Sequence, residues 1–239
     1  MIIIPARLKS TRFPKKILYK INNVPMFIAT AQKMAKIDEV VIALDDEEVL
    51  KIAKDFGFKA VLTSKEHESG TDRIKEASDI LNLNENEIII NVQADEPFIE
   101  EENIIKFKEF CSINLNEDVF MASCYKNISK IEANDPNLVK VVNDRFDFAL
   151  YFSRAKIPFE REDYNDFKGH LGIYGYRVKS LREFCTFKTS DLEKSEKLEQ
   201  LRALENGKKI KMLQINTKSI GIDTLEDYEK ALKIFDHVN

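Results

Sequence analysis

Short apolar runs, several rich in β-branched residues, alternate with stretches of helical spacing along the first half of the chain. That alternation predicts a largely parallel sheet covered by helices. Ile2–Ile4 reads as a buried strand that stops at Pro5. Met26, Phe27, Ala29, Ala31 and Met34 can form the buried face of a helix opening at Pro25, a residue favoured in a first helical turn. Glu39–Leu44 reads as a second strand ending at Asp45-Asp46, followed by a helix over Glu47–Phe56 and a strand at Ala60–Thr63. A loop at Ser64–Gly70 leads to a helix through Leu81, and Glu87–Val92 is the clearest central strand. That strand ends at Gln93-Ala94-Asp95-Glu96-Pro97.

The second half reads differently. Phe120–Cys124, Leu138–Asn143, Phe148–Ser153 and His170–Arg177 are strand-like with little helix between them, and Asp144–Asp147 suits a hairpin turn. Such strands predict antiparallel additions to a parallel core. Ser190-Asp191-Leu192-Glu193 has the form of a capping box and Gly207 that of a C-cap, so a single helix is expected over Asp191–Asn206. A strand at Lys209–Ile215 and a helix from Leu225 to about Asp236 close the chain.

Composition narrows the function. The 239 residues suit one large domain, or one domain with a smaller lobe. A formal net charge of −4 offers nucleic acid or an anionic membrane no whole-molecule attraction. No apolar stretch approaches the ~20 residues that span a bilayer, and no signal peptide is evident. Cys111, Cys124 and Cys185 fit neither a disulfide framework nor a zinc site, and read as reduced cytosolic thiols. Walker, dinucleotide-binding and Gly-x-Ser-x-Gly motifs are missing, so a P-loop kinase, a nicotinamide enzyme and a serine hydrolase lose ground.

Against that acidic background one loop stands out. Arg7, Lys9, Arg12, Lys15 and Lys16 follow the first strand within ten residues, braced by Pro5 and Pro14. At the carboxyl end of a strand such a loop suits a phosphate chain, and a solvated basic loop is the competing reading. Asp95, just past a strand, and Asp223, in Gly221-Ile222-Asp223-Thr224, could converge on a metal–triphosphate site; turn or helix capping is the alternative for each. Ser69-Gly70-Thr71-Asp72-Arg73 opens a helix and could receive a base or an anion. Arg154 could face a substrate carboxylate or make a surface ion pair. His170 opens a strand whose glycines, Gly172 and Gly175, admit a ligand or another backbone, although a lone His is more often structural. Glu199 and Gln200 fall mid-helix, where a solvated face is the default.

Taken together the motifs resemble those of the 3-deoxy-manno-octulosonate (KDO) cytidylyltransferases almost end to end. They are Ile3-Ile4-Pro5-Ala6-Arg7, Ser10-Thr11-Arg12, Pro14-x-Lys16, His67-x-Ser69-Gly70-Thr71-x-Arg73 and Asn91-Val92-Gln93-x-Asp95-Glu96-Pro97. Leu150-Tyr151-Phe152-Ser153-Arg154-Ala155-x-Ile157-Pro158, His170-Leu171-Gly172-Ile173-Tyr174-Gly175-Tyr176, Leu198-Glu199-Gln200-Leu201-Arg202 and Gly221-x-Asp223-Thr224-x-Glu226-Asp227 complete them. The resemblance implies an α/β fold: a Rossmann-like mixed sheet of the nucleotide-diphospho-sugar transferase type with a smaller strand-rich dimerisation lobe. It implies one nucleotidyltransferase domain over 1–239, with nucleotide binding mainly in 1–118, sugar binding and dimerisation in 119–190, and a return to the core over 191–239.

The implied reaction joins CTP and KDO into CMP-KDO and pyrophosphate, for the inner core of lipopolysaccharide in Gram-negative bacteria. A related acidic sugar such as 8-amino-KDO, or a non-catalytic nucleotide-binding homologue, is the alternative. On the family pattern Arg12, Lys16, Asp95 and Asp223 are catalytic, the two aspartates holding Mg²⁺. Pro5, Ala6, Arg7, Lys16, Ser69, Gly70 and Arg73 surround CTP, while Gln93, Arg154, His170, Tyr174, Glu199 and Gln200 hold KDO. A cytoplasmic homodimer without nucleic-acid or membrane partners is implied. Three departures from the family pattern stand out: Ala94 and Lys15 replace usual glycines, and the segment between Pro158 and His170 is shorter. Ala94 is the costlier replacement if its backbone needs a positive φ, and Lys15 reads as a harmless extra cation.

Overall fold

Five consecutive buried residues, Ile2–Ala6, form β1, the strand on which the first unit of the chain is built. The computed structural model describes residues 1–10, 12–67 and 69–235. Thr11 of the Ser10-Thr11-Arg12 motif and Asp236, the expected end of the last helix, lie outside them. Two compact units emerge: Met1–Asn84, Ile89–Lys106 and the chain from Thr217 on form unit 1, and Glu85–Ile88 with Phe107–Asn216 form unit 2.

In unit 1, β1 is followed by a short hairpin, β2 (Lys20–Ile21) and β3 (Val24–Pro25), and by α1 (Met26–Met34). Next come β4 (Val40–Leu44), α2 (Glu47–Asp55), β5 (Lys59–Leu62), α3 (Gly70–Ile80) and β6 (Ile88–Asn91). The strands run parallel in the order β6-β1-β4-β5. The unbroken burial of β1 and β4 is what a parallel strand covered on both faces demands. Each expected strand is present within two residues. Pro25 is not in the first turn of α1. It sits just before it, extended at φ −53°, ψ 143° and paired with Lys20, because Asn22 and Asn23 at φ 47° and 68° close a tight hairpin there.

One long helix had no counterpart in the sequence reading: α4 (Glu101–Asn114), which leaves unit 1 and enters unit 2. Ile104, Phe107 and Cys111 are buried, but Ile105 and Ile113 point outward, so its apolar residues form no single stripe.

Unit 2 holds β7 (Met121–Ile128), β8 (Lys140–Asn143), β9 (Ala149–Ser153), β10 (Phe167–Arg177) and α5 (Val178–Phe184). It also holds α6 (Asp191–Glu196), α7 (Leu201–Glu205) and β11 (Ile210–Gln214). β7 lies between antiparallel β10 and parallel β11, and β8 and β9 form the expected hairpin. The single helix expected over Asp191–Asn206 is two: the capping box of Ser190 and Glu193 starts α6, and Lys197 ends it in the left-handed region at φ 55°. Glu193 and Arg202 close this helical hairpin with a buried two-pronged ion pair at 2.6 and 2.8 Å. From Thr217 the chain belongs to unit 1 again, where α8 (Leu225–Phe235) packs Tyr228 and Ala231 against Phe13, Ile21, Met26, Phe98 and Ile222.

Candidate active site

The strand order of unit 1 reverses beside β1, for the chain proceeds to β4 and β5 on one side and returns to β6 on the other. In open α/β sheets the crevice outside the carboxyl ends at such a reversal is where ligands bind. β1 and β6 are direct neighbours, with Ile2 opposite Ile90 and Ile3 opposite Asn91. The basic loop leaves the end of β1 and the Gln93–Pro97 turn leaves the end of β6.

The four residues expected to be catalytic meet there. The Lys16 ammonium donates to the Asp95 carboxylate, to Asp223 Oδ1 at 2.9 Å and to the Ile222 carbonyl at 3.1 Å. Arg12 Nη2 lies 2.9 Å from the other oxygen of Asp223. Burial pulls the Lys16 pKa down, but the charges of Asp95 and Asp223 outweigh it and hold the ammonium above its ordinary value. Burial likewise raises Asp223, and Lys16 and Arg12 overcome it, leaving that carboxyl below its usual range.

Two carboxylates therefore already share one cation. Among the described residues no group of three or more His, Cys, Asp or Glu side chains is arranged so that it could hold a metal ion. Mg²⁺ does not require one, since it binds through one or two carboxylates completed by phosphates and water. The Lys16 ammonium stands where a divalent cation would meet both carboxylates, so the donor set fits the ion.

The residues expected to surround CTP lie in the same unit. Pro5 and Ala6 are buried at the end of β1, and Arg7 is exposed beyond it. A Cβ on Gly70 would lie 3.4 Å from Pro5 Cγ and 3.6 Å from the Gln93 amide, so Pro5, Gly70 and Gln93 share one wall. Gln93 Nε2 donates to Asn91 Oδ1 at 3.3 Å. Ser69 caps α3, its hydroxyl accepting from the Asp72 N–H. Arg73 is buried, donating to Thr63 Oγ1 at 2.6 Å and to Asp45 Oδ2 at 3.2 Å, while Asp45 Oδ1 accepts from the Leu8 N–H. Asp45 thus ties the basic loop to the Ser69–Arg73 motif. Its only sequence signal was its position at the end of β4.

The two glycine replacements trade places. Ala94 is not among the residues with positive φ, and its carbonyl accepts from Thr30 Oγ1 at 3.0 Å. Lys15 is the strained one, at φ 55°, ψ 29°. The condition for a cost at Ala94 is therefore not met, and Lys15, expected to be harmless, carries the left-handed backbone that no local sequence pattern announces.

Of the residues expected to hold the sugar, Gln93 lies in unit 1, and Arg154, His170, Tyr174, Glu199 and Gln200 lie in unit 2. β10 slips register between Leu171 and Tyr174, and Ser123 of β7 sits beneath the slip. Ser123 Oγ lies 2.8 Å from the Ile173 carbonyl and 2.9 Å from His170 Nε2. Its single hydrogen goes to the nearer carbonyl, so we assign Nε2–H as the donor to Oγ, which leaves Nδ1 an acceptor. Burial pushes the His170 pKa down to about 3, so the ring is neutral. The His170 and Tyr174 rings lie 5.6 Å apart, and Tyr174 OH donates to Gln200 Oε1 at 3.2 Å. Burial, aided by the Glu199 charge, drives the Tyr174 pKa up and keeps the phenol protonated. Gln200 Nε2 is buried without a hydrogen-bond partner among the described residues, an arrangement that costs about 1–3 kcal/mol unless something accepts from it.

Arg154 is not free in the same sense. Its Nε donates to the Glu196 carbonyl at 2.7 Å, Nη1 to the Pro136 carbonyl at 3.1 Å and Nη2 to the Lys197 carbonyl at 3.5 Å, while its backbone N–H meets the Glu196 carboxylate at 2.9 Å. Fully buried Lys140 gives its ammonium to three carbonyls, one of them Arg154's, at 2.6 to 2.7 Å. Gly172 lies open, whereas a Cβ on Gly175 would fall 2.3 Å from Cys111 Sγ, so Gly175 serves packing against α4.

Known proteins resemble the chain in sequence and fold. A family model described as cytidylyltransferase matches residues 1–210. A 3-deoxy-manno-octulosonate cytidylyltransferase of Nitratiruptor sp. is 58% identical over 96% of this chain and 97% of its own length. One of Wolinella succinogenes is 52% identical over 98% and 99%. A solved CMP:2-keto-3-deoxy-manno-octonic acid synthetase complexed with CTP superposes with a TM-score of 0.92 at 33% identity, covering 100% of this chain and 98% of that one.

Proposed function

The chain belongs to the 3-deoxy-manno-octulosonate cytidylyltransferase family, and from that premise we propose that it transfers CMP from CTP to KDO with release of pyrophosphate. The product would serve lipopolysaccharide synthesis. The observation that carries the reading is the meeting of Arg12, Lys16, Asp95 and Asp223 in the crevice beside β1.

In the reaction a bond forms from the anomeric oxygen of the sugar to the α-phosphorus, and the bond from that phosphorus to pyrophosphate breaks. Arg12 and Lys16 would exchange their carboxylate partners for the triphosphate and stabilise the charge gathering on the leaving pyrophosphate. The Arg12–Asp223 pair is about half exposed on both sides, so releasing it costs no more than about 1 kcal/mol. Asp95 and Asp223 would hold Mg²⁺, which when bound aligns the phosphates and polarises them. Pro5, Gly70 and Gln93 would shape one wall for the ligand, with Ala6, Arg7, Ser69 and Arg73 around it.

In unit 2, His170 Nδ1 would accept from a sugar hydroxyl and Gln200 Nε2 would donate to a sugar oxygen. Tyr174 and Glu199 would complete that set, and the two Arg154 N–H groups left over from carbonyl contacts would face the carboxylate.

Ile131, Phe146, Leu150 and Phe159, all well exposed in unit 2, support a homodimer through the strand-rich half, to be checked by light scattering. We place the reaction in the cytoplasm with its CTP supply. Among the described residues no helix is long and apolar enough to cross a membrane. The decisive test measures pyrophosphate release from CTP and Mg²⁺ with KDO, 8-amino-KDO and sialic acid in parallel. Release with KDO alone is expected. A folded protein that binds CTP and releases nothing with any of them would overturn the proposal.

A further inference from the structure

Asp95 and Asp223 can share an ion only if two segments far apart in sequence are held in register, and the structure contains a clamp that does so. The Asp95 carbonyl accepts from the Ile222 N–H at 3.1 Å, which joins the two turns through the backbone. The next residue, Glu96, lays its carboxylate over the incoming segment. Its Oε2 accepts from Ser219 Oγ at 3.1 Å, and its Oε1 lies where a Cβ on Gly221 would come within 2.9 Å. Four residues on, Glu100 repeats the grip, accepting from Thr217 Oγ1 at 2.5 Å and from the Lys218 N–H at 3.1 Å. Burial raises the Glu100 carboxyl, but these hydrogen bonds and that of Asn103 overcome it and hold it below its ordinary value, so the grip is made by a charged group. Ser219 is 3% exposed, so its hydroxyl is not satisfied by bulk water.

We infer that Glu96 is a positioning residue: by bracing Ser219 and the bare Cα of Gly221, it sets where Asp223 stands relative to Asp95. The inference rests on the proposed metal role of the two aspartates. It also gives one reason for two features that the reaction itself leaves unexplained. The residue after Asp95 is a glutamate because its carboxylate reaches across to the 219–221 segment. The residue two before Asp223 is a glycine because that carboxylate occupies the space of a side chain. Since the contact at Gly221 is with the far end of a side chain, an added methyl would displace the carboxylate from Ser219 rather than break the backbone.

The test uses the full chain, with Mn²⁺ as the spectroscopically visible divalent probe. Mn²⁺ affinity is measured by electron paramagnetic resonance with CTP and no sugar, alongside the melting temperature and the KM for KDO. Glu96→Ala is expected to weaken Mn²⁺ binding about tenfold, equivalent to ~1.4 kcal/mol, with the KM for KDO unmoved. Glu96→Gln keeps an oxygen for Ser219 and is expected to hold Mn²⁺ affinity within about twofold. Gly221→Ala should fall between them. If Glu96→Ala does not fold, Ser219→Ala removes the same hydrogen bond and carries the same expectation.

Mn²⁺ affinity unchanged in Glu96→Ala, with only the melting temperature lowered, would overturn the inference. So would a loss in Glu96→Gln as large as in Glu96→Ala, which would make the Glu96 charge itself a ligand. Absence of CTP-dependent Mn²⁺ binding in the unaltered protein would instead defeat the metal reading, and the inference with it.

Discussion

Unit 1 and unit 2 present their candidate ligand groups in opposite physical states. In unit 1 Arg12, Lys16, Asp95 and Asp223 are acid and base side chains paired with one another, in contacts whose side chains range from 14% to 58% exposed. In unit 2 His170, Tyr174 and Gln200 are neutral dipoles, and His170 and Gln200 are almost closed off from solvent. The half-exposed Arg12–Asp223 pair changes partners at little cost, and the more buried Lys16 keeps its charge compensated by exchanging carboxylate for phosphate, which suits a triphosphate arriving with its own cation. Buried dipoles cannot rearrange cheaply, and one left without a partner is held ready at a cost in stability, which suits selection among similar sugars. The first arrangement recognises charge by exchange, and the second recognises hydroxyl patterns by a fixed template.

That contrast can be broken experimentally. The largest effect is expected from Asp95→Asn in unit 1. Pyrophosphate release should fall at least a thousandfold, about 4 kcal/mol in barrier, with an unchanged circular dichroism spectrum. Activity near that of the unaltered protein would remove Asp95 from the site.

In unit 2 the largest effect should be on stability. Arg202→Met leaves Glu193 buried and unpaired, and denaturant unfolding should show a loss of about 3–5 kcal/mol. Exchanging both partners for apolar residues should recover most of it. A third difference appears with acid. His170 is neutral when folded down to a pKa of about 3 but takes a proton at about 6.5 when unfolded, so the unfolded chain binds more protons between those values. Stability should therefore fall as pH drops below about 6.5, by up to ~1.4 kcal/mol per pH unit, and His170→Asn should flatten that slope in denaturation curves.

Gln200→Leu sharpens the template idea. The KM for KDO should rise about tenfold, ~1.4 kcal/mol, with little net change in melting temperature, because removing the unpartnered Nε2 is offset by the Tyr174 hydroxyl losing its acceptor. The smallest effect is in unit 1, where Lys15→Gly relieves a left-handed backbone and should stabilise by about 0.5–1 kcal/mol in the same denaturation assay.

What was legible in the sequence follows the same division. β1, β4 and β6 could be read because each is a short, largely continuous apolar run that ends just before Arg7, Asp45 or Gln93, and the charges that matter lie at or just beyond those ends. Pairing between distant segments could not be read. Nothing local announces that Glu96 meets Gly221, that Asp45 joins Leu8 to Arg73, or that Ser123 anchors His170. The break at Lys197 was hidden by a good capping box and by residues that favour helix on both sides, and the buried Glu193–Arg202 pair became visible only once the chain had folded back. α4 was missed because Ile105 and Ile113 spread its apolar residues around the helix.

The close fit of Gly175 against Cys111 has a practical consequence. With that sulfur wedged beneath β10 and Cys124 equally buried, burial holds both thiols protonated and out of reach of alkylating reagents. Of the three thiols Cys185 alone reaches the surface, at the end of α5. The unaltered chain should accordingly take up a single fluorophore or spin label in unit 2, giving a built-in reporter of sugar binding that requires no engineered cysteine.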